Sequence, residues 1–219
     1  MKTTSKIILL CIASSAAAAA TQPWMDVTAD PSARAQALLK RMNVTEKTAM
    51  LHGTKLGYTG GVVGNERLGI PVLQLNDGPQ GFRLRPNEYP GTTTSWPSGM
   101  TVGATFDREL AQQWGEAMGA EFSGKGATVQ LGPGLCLARV PVNGRNFEYL
   151  SGEDPWLGRA MVEPVVRGIQ SQRVIANAKH WYVSSRAAQG GAVVARRLRP
   201  RLLFLTLFCF VRFVALQGL

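Results

Sequence analysis

The 219-residue sequence predicts an α/β fold in which parallel strands are covered by helices. Three observations carry that prediction. Strand-like runs alternate with runs of helical periodicity. The strand-like runs are short and almost continuously apolar, as strands buried on both faces must be. Polar residues (Asp77, Lys179, His180, and Arg145 after a loop) cluster just past the strand ends. A parallel barrel carries its chemistry on that rim, and so does a doubly wound sheet, so both architectures stay open at this point.

The elements follow in order. Residues 1–20 read as a secretory signal peptide: Lys2 and Lys6 give the charged start, Ile7 to Ala13 the apolar stretch, and Ala16 to Ala20 the small residues for cleavage. From residue 26 to 58 the spacing of Leu38, Leu39, Met42, Met50 and Leu51 is helical, with Asp30-Pro31 as cap and first turn, a second helix from Thr45-Glu46, and Gly53 as a stop. YTGGVVGN, residues 58–65, reads as a glycine-rich loop. IPVLQLND, residues 70–77, is a strand ending in the turn signal Asn76-Asp77-Gly78-Pro79. TVGATFD, residues 101–107, is a weaker strand candidate. Residues 108–126 form a helix with Leu110, Trp114, Ala117 and Met118 on one side. Residues 127–135 are a strand that breaks on glycines, 158–172 a helix that Pro164 kinks or splits, and 174–180 a further strand.

The net charge of +10 suggests nucleic acid, but its distribution argues against it. From Ser184 onward there are six arginines and no acid, which leaves 18 basic and 14 acidic residues in positions 1–183. No GxGxxG or P-loop follows a strand, so dinucleotide and NTPase readings lose support. Cys11, Cys136 and Cys209 form no metal-type cluster, and neither a metal nor a cofactor is implied. Cys11 leaves with the signal, and nothing in the spacing requires Cys136 and Cys209 to pair. Asn43-Val44-Thr45 is a glycosylation sequon, in keeping with secretion.

Three segments offer chemistry. In NDGPQGFR, residues 76–83, Asp77 can accept hydrogen bonds from two neighbouring sugar hydroxyls, and Arg83 can steady it or reach the ligand. The same Asp-Gly-Pro turn also forms when the carboxylate merely caps its own backbone. In residues 139–155, Arg145 offers a rigid donor fork, with Glu148, Glu153 and Asp154 as candidate partners; a self-satisfied ion-pair loop is equally compatible. Asp154-Pro155 also reads as a helix start. In AKHWY, residues 178–182, Lys179 and His180 sit at a strand end, where neighbouring residues face opposite sides unless a turn or a cis peptide intervenes. Trp181 and Tyr182 serve as an apolar wall or as core.

These segments carry a resemblance. NDGPQGFR, GRNFEYLSGEDPWLG and VIANAKHW occur in one order, together with TSWPSGMTVGATFDRELAQQWGEAMGAEFSGKG and VQLGPGLCLARVPVNGRN. Over roughly residues 30–183 the chain resembles glycoside hydrolase family three, in particular its β-glucosidase branch. The resemblance implies the N-terminal part of a (β/α)8 TIM-type barrel, about its first half, in residues 21–183. It implies a β-glucoside or oligosaccharide substrate whose terminal β-D-glucosyl residue is removed with retention. Asp77 would grip hydroxyls of that sugar, Arg145, Lys179 and His180 would donate to it, and Arg83 would support them.

Retaining hydrolysis needs two carboxylates about 5–5.5 Å apart. In the family these lie downstream of the Lys-His pair, whereas here no Asp or Glu follows Glu163. The expectation is therefore a chain without nucleophile or acid/base, inactive as it stands. From residue 184 to 219 the sequence turns basic and apolar and departs from the family pattern, which reads first as an out-of-frame or intron-derived tail. Leu202 to Val211 is short for a membrane span. The rival reading is a non-catalytic carbohydrate-binding or membrane-associated protein.

Overall fold

The computed structural model describes residues 22–54, 59–84 and 91–180. The signal segment, Cys11, Trp181, Tyr182, and the tail with Cys209 lie outside the described residues. Among the described residues no helix is long and apolar enough to cross a membrane. The chain divides into two units, which among the described residues comprise 22–52 with 63–72, and 53–54, 59–62, 73–84 with 91–180.

The smaller unit is helical. Helix α1, Pro31–Arg41, starts where Asp30 accepts the Ala33 amide, with Pro31 in its first turn and Lys40 and Arg41 at its C-terminal end. Helix α2, Val44–Ala49, is closed at its start by reciprocal bonds: the Asn43 side chain takes the Glu46 amide and the Glu46 carboxylate takes the Asn43 amide. It stops at Ala49, before Gly53. Trp24, Met42 and Leu68 form a small core, with Leu38 and Met50 against it, while Leu39 and Leu51 are exposed. Arg67 ties the unit together, donating to the Arg41 carbonyl and to Glu46. The Arg67 guanidinium, with Asn65 and the Asn43 amide, holds Glu46 down at about 2.

The larger unit carries a sheet of β1 (Gly60–Val62), β2 (Leu73–Asp77), β3 (Val129–Leu131) and β4 (Ile175–Ala176), in that spatial order. β2, β3 and β4 run parallel, pairing Leu75 with Val129 and Val129 with Ile175. β1 is antiparallel to β2, pairing Gly61 with Gln74. Sequence reading takes the Gly60-Gly61 stretch for a loop, because glycine offers no side-chain signal for a strand. The 101–107 candidate is not a strand: Gly99–Gly103 forms the short helix α3, capped by Ser98, whose side chain accepts the Thr101 amide. The two glycines of α3 let it lie directly on the chain at 148–150. A Cβ on Gly99 would come within 2.6 Å of the Glu148 carbonyl oxygen, and one on Gly103 within 2.3 Å of that of Leu150.

Between the parallel strands lie α4 (Arg108–Gly124) and α5 (Pro155–Ser171), which pack on each other. Asp107 and Asp154 cap them. Gly115 and Gly168 allow this backbone contact: a Cβ on Gly168 would stand 2.3 Å from the Gln112 carbonyl oxygen. The buried face of α4 is Ala111, Trp114, Met118 and Phe122, with Leu110 turned outward. With Met161, Val165 and Ile169 of α5 and Val174 before β4, these residues form one core under the sheet. Pro164 lies inside α5, which runs through it. This is the strand–helix–strand order of a barrel-type α/β fold, and it directs the C-terminal ends of β2, β3 and β4 to one side.

Candidate functional site

Each parallel strand delivers its cargo through a polar residue that also braces the neighbouring loop. At the end of β2, Asn76 is buried, and its side-chain amide both donates to and accepts from the Arg83 backbone, folding residues 78–83 back against the strand. Asp77, the next residue, is left facing outward at the rim, where the Arg83 guanidinium meets its carboxylate at 2.8 Å. From β3, the buried Gln130 side chain donates to the Gly78 carbonyl at 2.7 Å, fixing the start of the same loop. Glu121 near the end of α4 accepts from the Thr94 amide and the Trp96 ring nitrogen, both at 2.9 Å, and so holds the strip 93–96. Asn76, Gln130 and Glu121 were not singled out from the sequence. For Asn76 and Gln130 the available signal was a polar residue inside a strand that is otherwise apolar, since a buried amide needs a partner; Glu121 lies on a helix and offered no such signal.

Arg145 enters on the long loop after β3. Asn143, itself buried, accepts the Arg145 amide, and Asn146 donates to the Val140 carbonyl, which closes the loop on itself. Of the three acids proposed as partners, Glu148 takes the role: its carboxylate accepts from Arg145 Nε. Asp154 caps α5 instead. The hydrogen bond to Glu148 raises the Arg145 pKa, so the guanidinium keeps its charge. Among the described residues the Arg145 Nη groups have no hydrogen-bond partner.

Lys179 lies just beyond β4. Its amide donates to the Pro133 carbonyl and its carbonyl accepts from Leu135, so both sides of its backbone are bound to the stretch after β3. Its ammonium is partly buried and, among the described residues, makes no ion pair. Burial pushes the Lys179 pKa below the ordinary lysine value, against the pull of Glu148 and Asp77.

The Lys179–His180 peptide is cis. The His180 ring stands edge-on to Tyr149, with its Nδ1 3.5 Å from the Tyr149 hydroxyl and 3.6 Å from Cys136 Sγ. The His180 amide donates to the same sulfur at 3.2 Å. Burial and the nearby charges of Lys179 and Arg145 push its imidazole pKa below the ordinary histidine value, which favours the neutral ring.

Asp77, Arg145 and Lys179 line one cavity of about 520 Å³, with Gly78, the 80–82 turn, Thr93 to Ser95, Phe147 and Glu148. Arg83 reaches it only through Asp77, and His180 stands beside Lys179 against Tyr149 and Cys136. Two strand ends and the loop after β3 thus bring an anionic acceptor and two cationic donors to a space the size of a small ligand. Such a set suits a polyhydroxylated molecule, whose hydroxyls both donate and accept. A second hollow, about 530 Å³, lies on the outer faces of α4 and α5 among Arg108, Glu163 and Arg167; it contains none of the residues proposed from the sequence. Asn43, the sequon residue, is exposed in the smaller unit.

The family model of the glycosyl hydrolase family 3 N terminal domain matches residues 26–201, a span that runs past Trp181, where the quoted motifs end. Beta-glucosidase A of Aspergillus kawachii is 40% identical over 169 residues, covering 73% of this chain and 19% of that protein. Beta-glucosidase 3B from Thermotoga neapolitana, solved in complex with alpha-D-glucose, is 33% identical with a TM-score of 0.63, covering 68% of this chain and 23% of that one. DesR, a beta-glucosidase from Streptomyces venezuelae solved in complex with D-glucose, is 33% identical with a TM-score of 0.65, covering 69% and 19%. The chain spans about a fifth of the length of these relatives.

Proposed function

The chain belongs to glycosyl hydrolase family 3, and from that premise we propose that its larger unit is the sugar-gripping part of a retaining β-glucosidase site. Its ligand is the terminal, non-reducing β-D-glucosyl residue of a glucoside or oligosaccharide. The observation that carries this reading is the convergence of Asp77, Arg145 and Lys179 on one cavity, from the end of β2, the loop after β3 and the end of β4. Asp77 accepts from two adjacent hydroxyls, Arg145 and Lys179 donate to others, His180 adds a donor or acceptor beside Lys179, and Arg83 steadies Asp77.

Binding is separated from turnover in this chain. Retention requires one carboxylate to attack the anomeric carbon and a second to protonate the leaving group. The carboxylates lining the cavity, Asp77 and Glu148, are each engaged by a guanidinium as hydrogen-bond acceptors. No Asp or Glu follows Glu163. On this reading the cavity binds glucose, and its two carboxylates are not expected to hydrolyse glucosides by themselves, a state that also describes the rival reading of a carbohydrate-binding protein. The same proposal sends the chain through the secretory route on residues 1–20 and leaves Asn43 open to glycosylation.

An aryl β-glucoside assay on the full chain tests this. The expected rate is no higher than that of Lys179→Ala, alongside measurable glucose binding by the unaltered chain. Turnover well above the Lys179→Ala control would overturn the separation.

A further inference from the structure

Of the two carboxylates in the cavity wall, Glu148 is the buried one, at 7% exposure. An acid buried to this degree is rare unless something needs its charge. Its surroundings leave it little freedom: its backbone lies against Gly99 of α3, close enough to exclude a Cβ there, and the next two residues, Tyr149 and Leu150, are buried. The Leu150 amide is bound to the Gly134 carbonyl at 3.0 Å, so the turn from 146 to 148 is anchored to the chain after β3. The carboxylate thus sits on a fixed base and reaches Arg145 at Nε, the nitrogen nearest the Arg145 stem. That choice occupies one of five N–H groups and leaves the Nη groups, at the far end, for another acceptor.

We infer that Glu148 is the positioning residue of this cavity: it sets the plane of the Arg145 guanidinium through Nε, and as a buried acid in the same cavity wall as Lys179 it serves as that ammonium's counter-charge. The role presupposes the sugar-binding reading above and adds a residue to it that does not itself touch the sugar. The groups that act on Lys179 are Glu148, Asp77 and Cys136, which favour its charged form, and Arg145, which opposes it. Glu148 leads the favourable set. Losing it leaves a partly buried ammonium beside a guanidinium with less to hold it.

The test follows the Lys179 side chain by NMR in the full chain carrying ¹³C-labelled lysine, with Lys179→Arg to identify its signal, and measures D-glucose binding in parallel. Glu148→Gln is expected to lower the Lys179 titration midpoint by about one pH unit. The same change is expected to weaken glucose binding about tenfold. Glu148→Asp, which restores the charge on a shorter arm, is expected to recover most of the midpoint and part of the affinity. A folded Glu148→Gln chain with an unchanged Lys179 midpoint, or equal losses in the Gln and Asp variants, would overturn the role. Should Glu148→Gln not fold, Arg145→Gln takes its place: it frees the Glu148 carboxylate and removes the repulsion, so the Lys179 midpoint must rise, and an unchanged or lower one overturns the inference. If the unaltered chain binds no glucose while its Lys179 midpoint still falls in Glu148→Gln, the sugar-binding reading fails and the hold of Glu148 on Lys179 stands.

Discussion

Replacing Asp77 by asparagine separates a binding residue from a structural one. The Arg83–Asp77 pair spans 2.8 Å, but its side chains are 70% and 38% exposed. An exposed pair of this kind contributes about 0.2–1 kcal/mol to stability. The Asp77 amide is bound to the Thr59 hydroxyl, which the substitution leaves untouched. Folding should therefore weaken by under about 1 kcal/mol. Binding has more to lose. A hydrogen bond to a charged group contributes about 1.5–3 kcal/mol. Asparagine keeps one oxygen and replaces the other by an NH₂. If the oxygen turns to Arg83, a donor faces the sugar; if it turns to the sugar, two donors face each other across 2.8 Å. The expected loss is about 2–3 kcal/mol of binding, a 30- to 150-fold rise in Kd. Calorimetric titration of D-glucose and a denaturant melt on the same samples measure both quantities. A variant that binds glucose normally but unfolds more easily by over about 2 kcal/mol would refute the reasoning and make Asp77 a turn residue.

Three further predictions follow from the same geometry. Glucose affinity falls as pH rises through the lowered Lys179 pKa, so the decline begins below the ordinary lysine value of 10.5. In that window the unfolded chain holds the proton more tightly, so this group makes the fold more stable with rising pH while binding weakens; titrations and melts across the alkaline range read the opposing trends. Glu46, held at about 2 by Arg67, contributes stability that is present above its ordinary value of 4.5 and lost as pH falls toward 2. Glu46→Gln should flatten the acid limb of the melt. Gly168→Val drives side-chain atoms into the α4 backbone, where even a Cβ would stand 2.3 Å from the Gln112 carbonyl oxygen, and should cost about 1–3 kcal/mol by denaturant melt.

The helices with strong caps were legible in the sequence where Asp30-Pro31 and Asp154-Pro155 mark their starts chemically. The strands were legible where they were apolar and buried. Two readings failed where glycine decided. Gly60-Gly61 joins the sheet with no side chains to announce it, and Gly99 and Gly103 belong to a helix whose contact is backbone on backbone. Leu110 shows the limit of periodicity: it fits a helical stripe but points outward, while Gly115 and Gly119, with no hydrophobic signal, lie in the buried face.

The site divides in the same way. Asp77 and Lys179 carry strong chemistry at strand ends and Arg145 on the loop after β3, and the fold brings them to one cavity. Choosing Glu148 over Glu153 and Asp154 as the Arg145 partner needed three-dimensional structure, as did finding the Asn76, Gln130 and Glu121 braces. Their partners are backbone groups or side chains set by loop paths that no spacing rule encodes.

The most direct test of the account is a titration of D-glucose into the isotope-labelled 219-residue chain, followed by amide NMR. The account predicts saturable shifts confined to residues 77–82, 93–95, 145–148 and 179–180, the walls of the cavity beyond β2, β3 and β4 and the neighbouring His180. No saturable shift, or shifts gathered on the outer faces of α4 and α5 around Arg108 and Glu163, would contradict it.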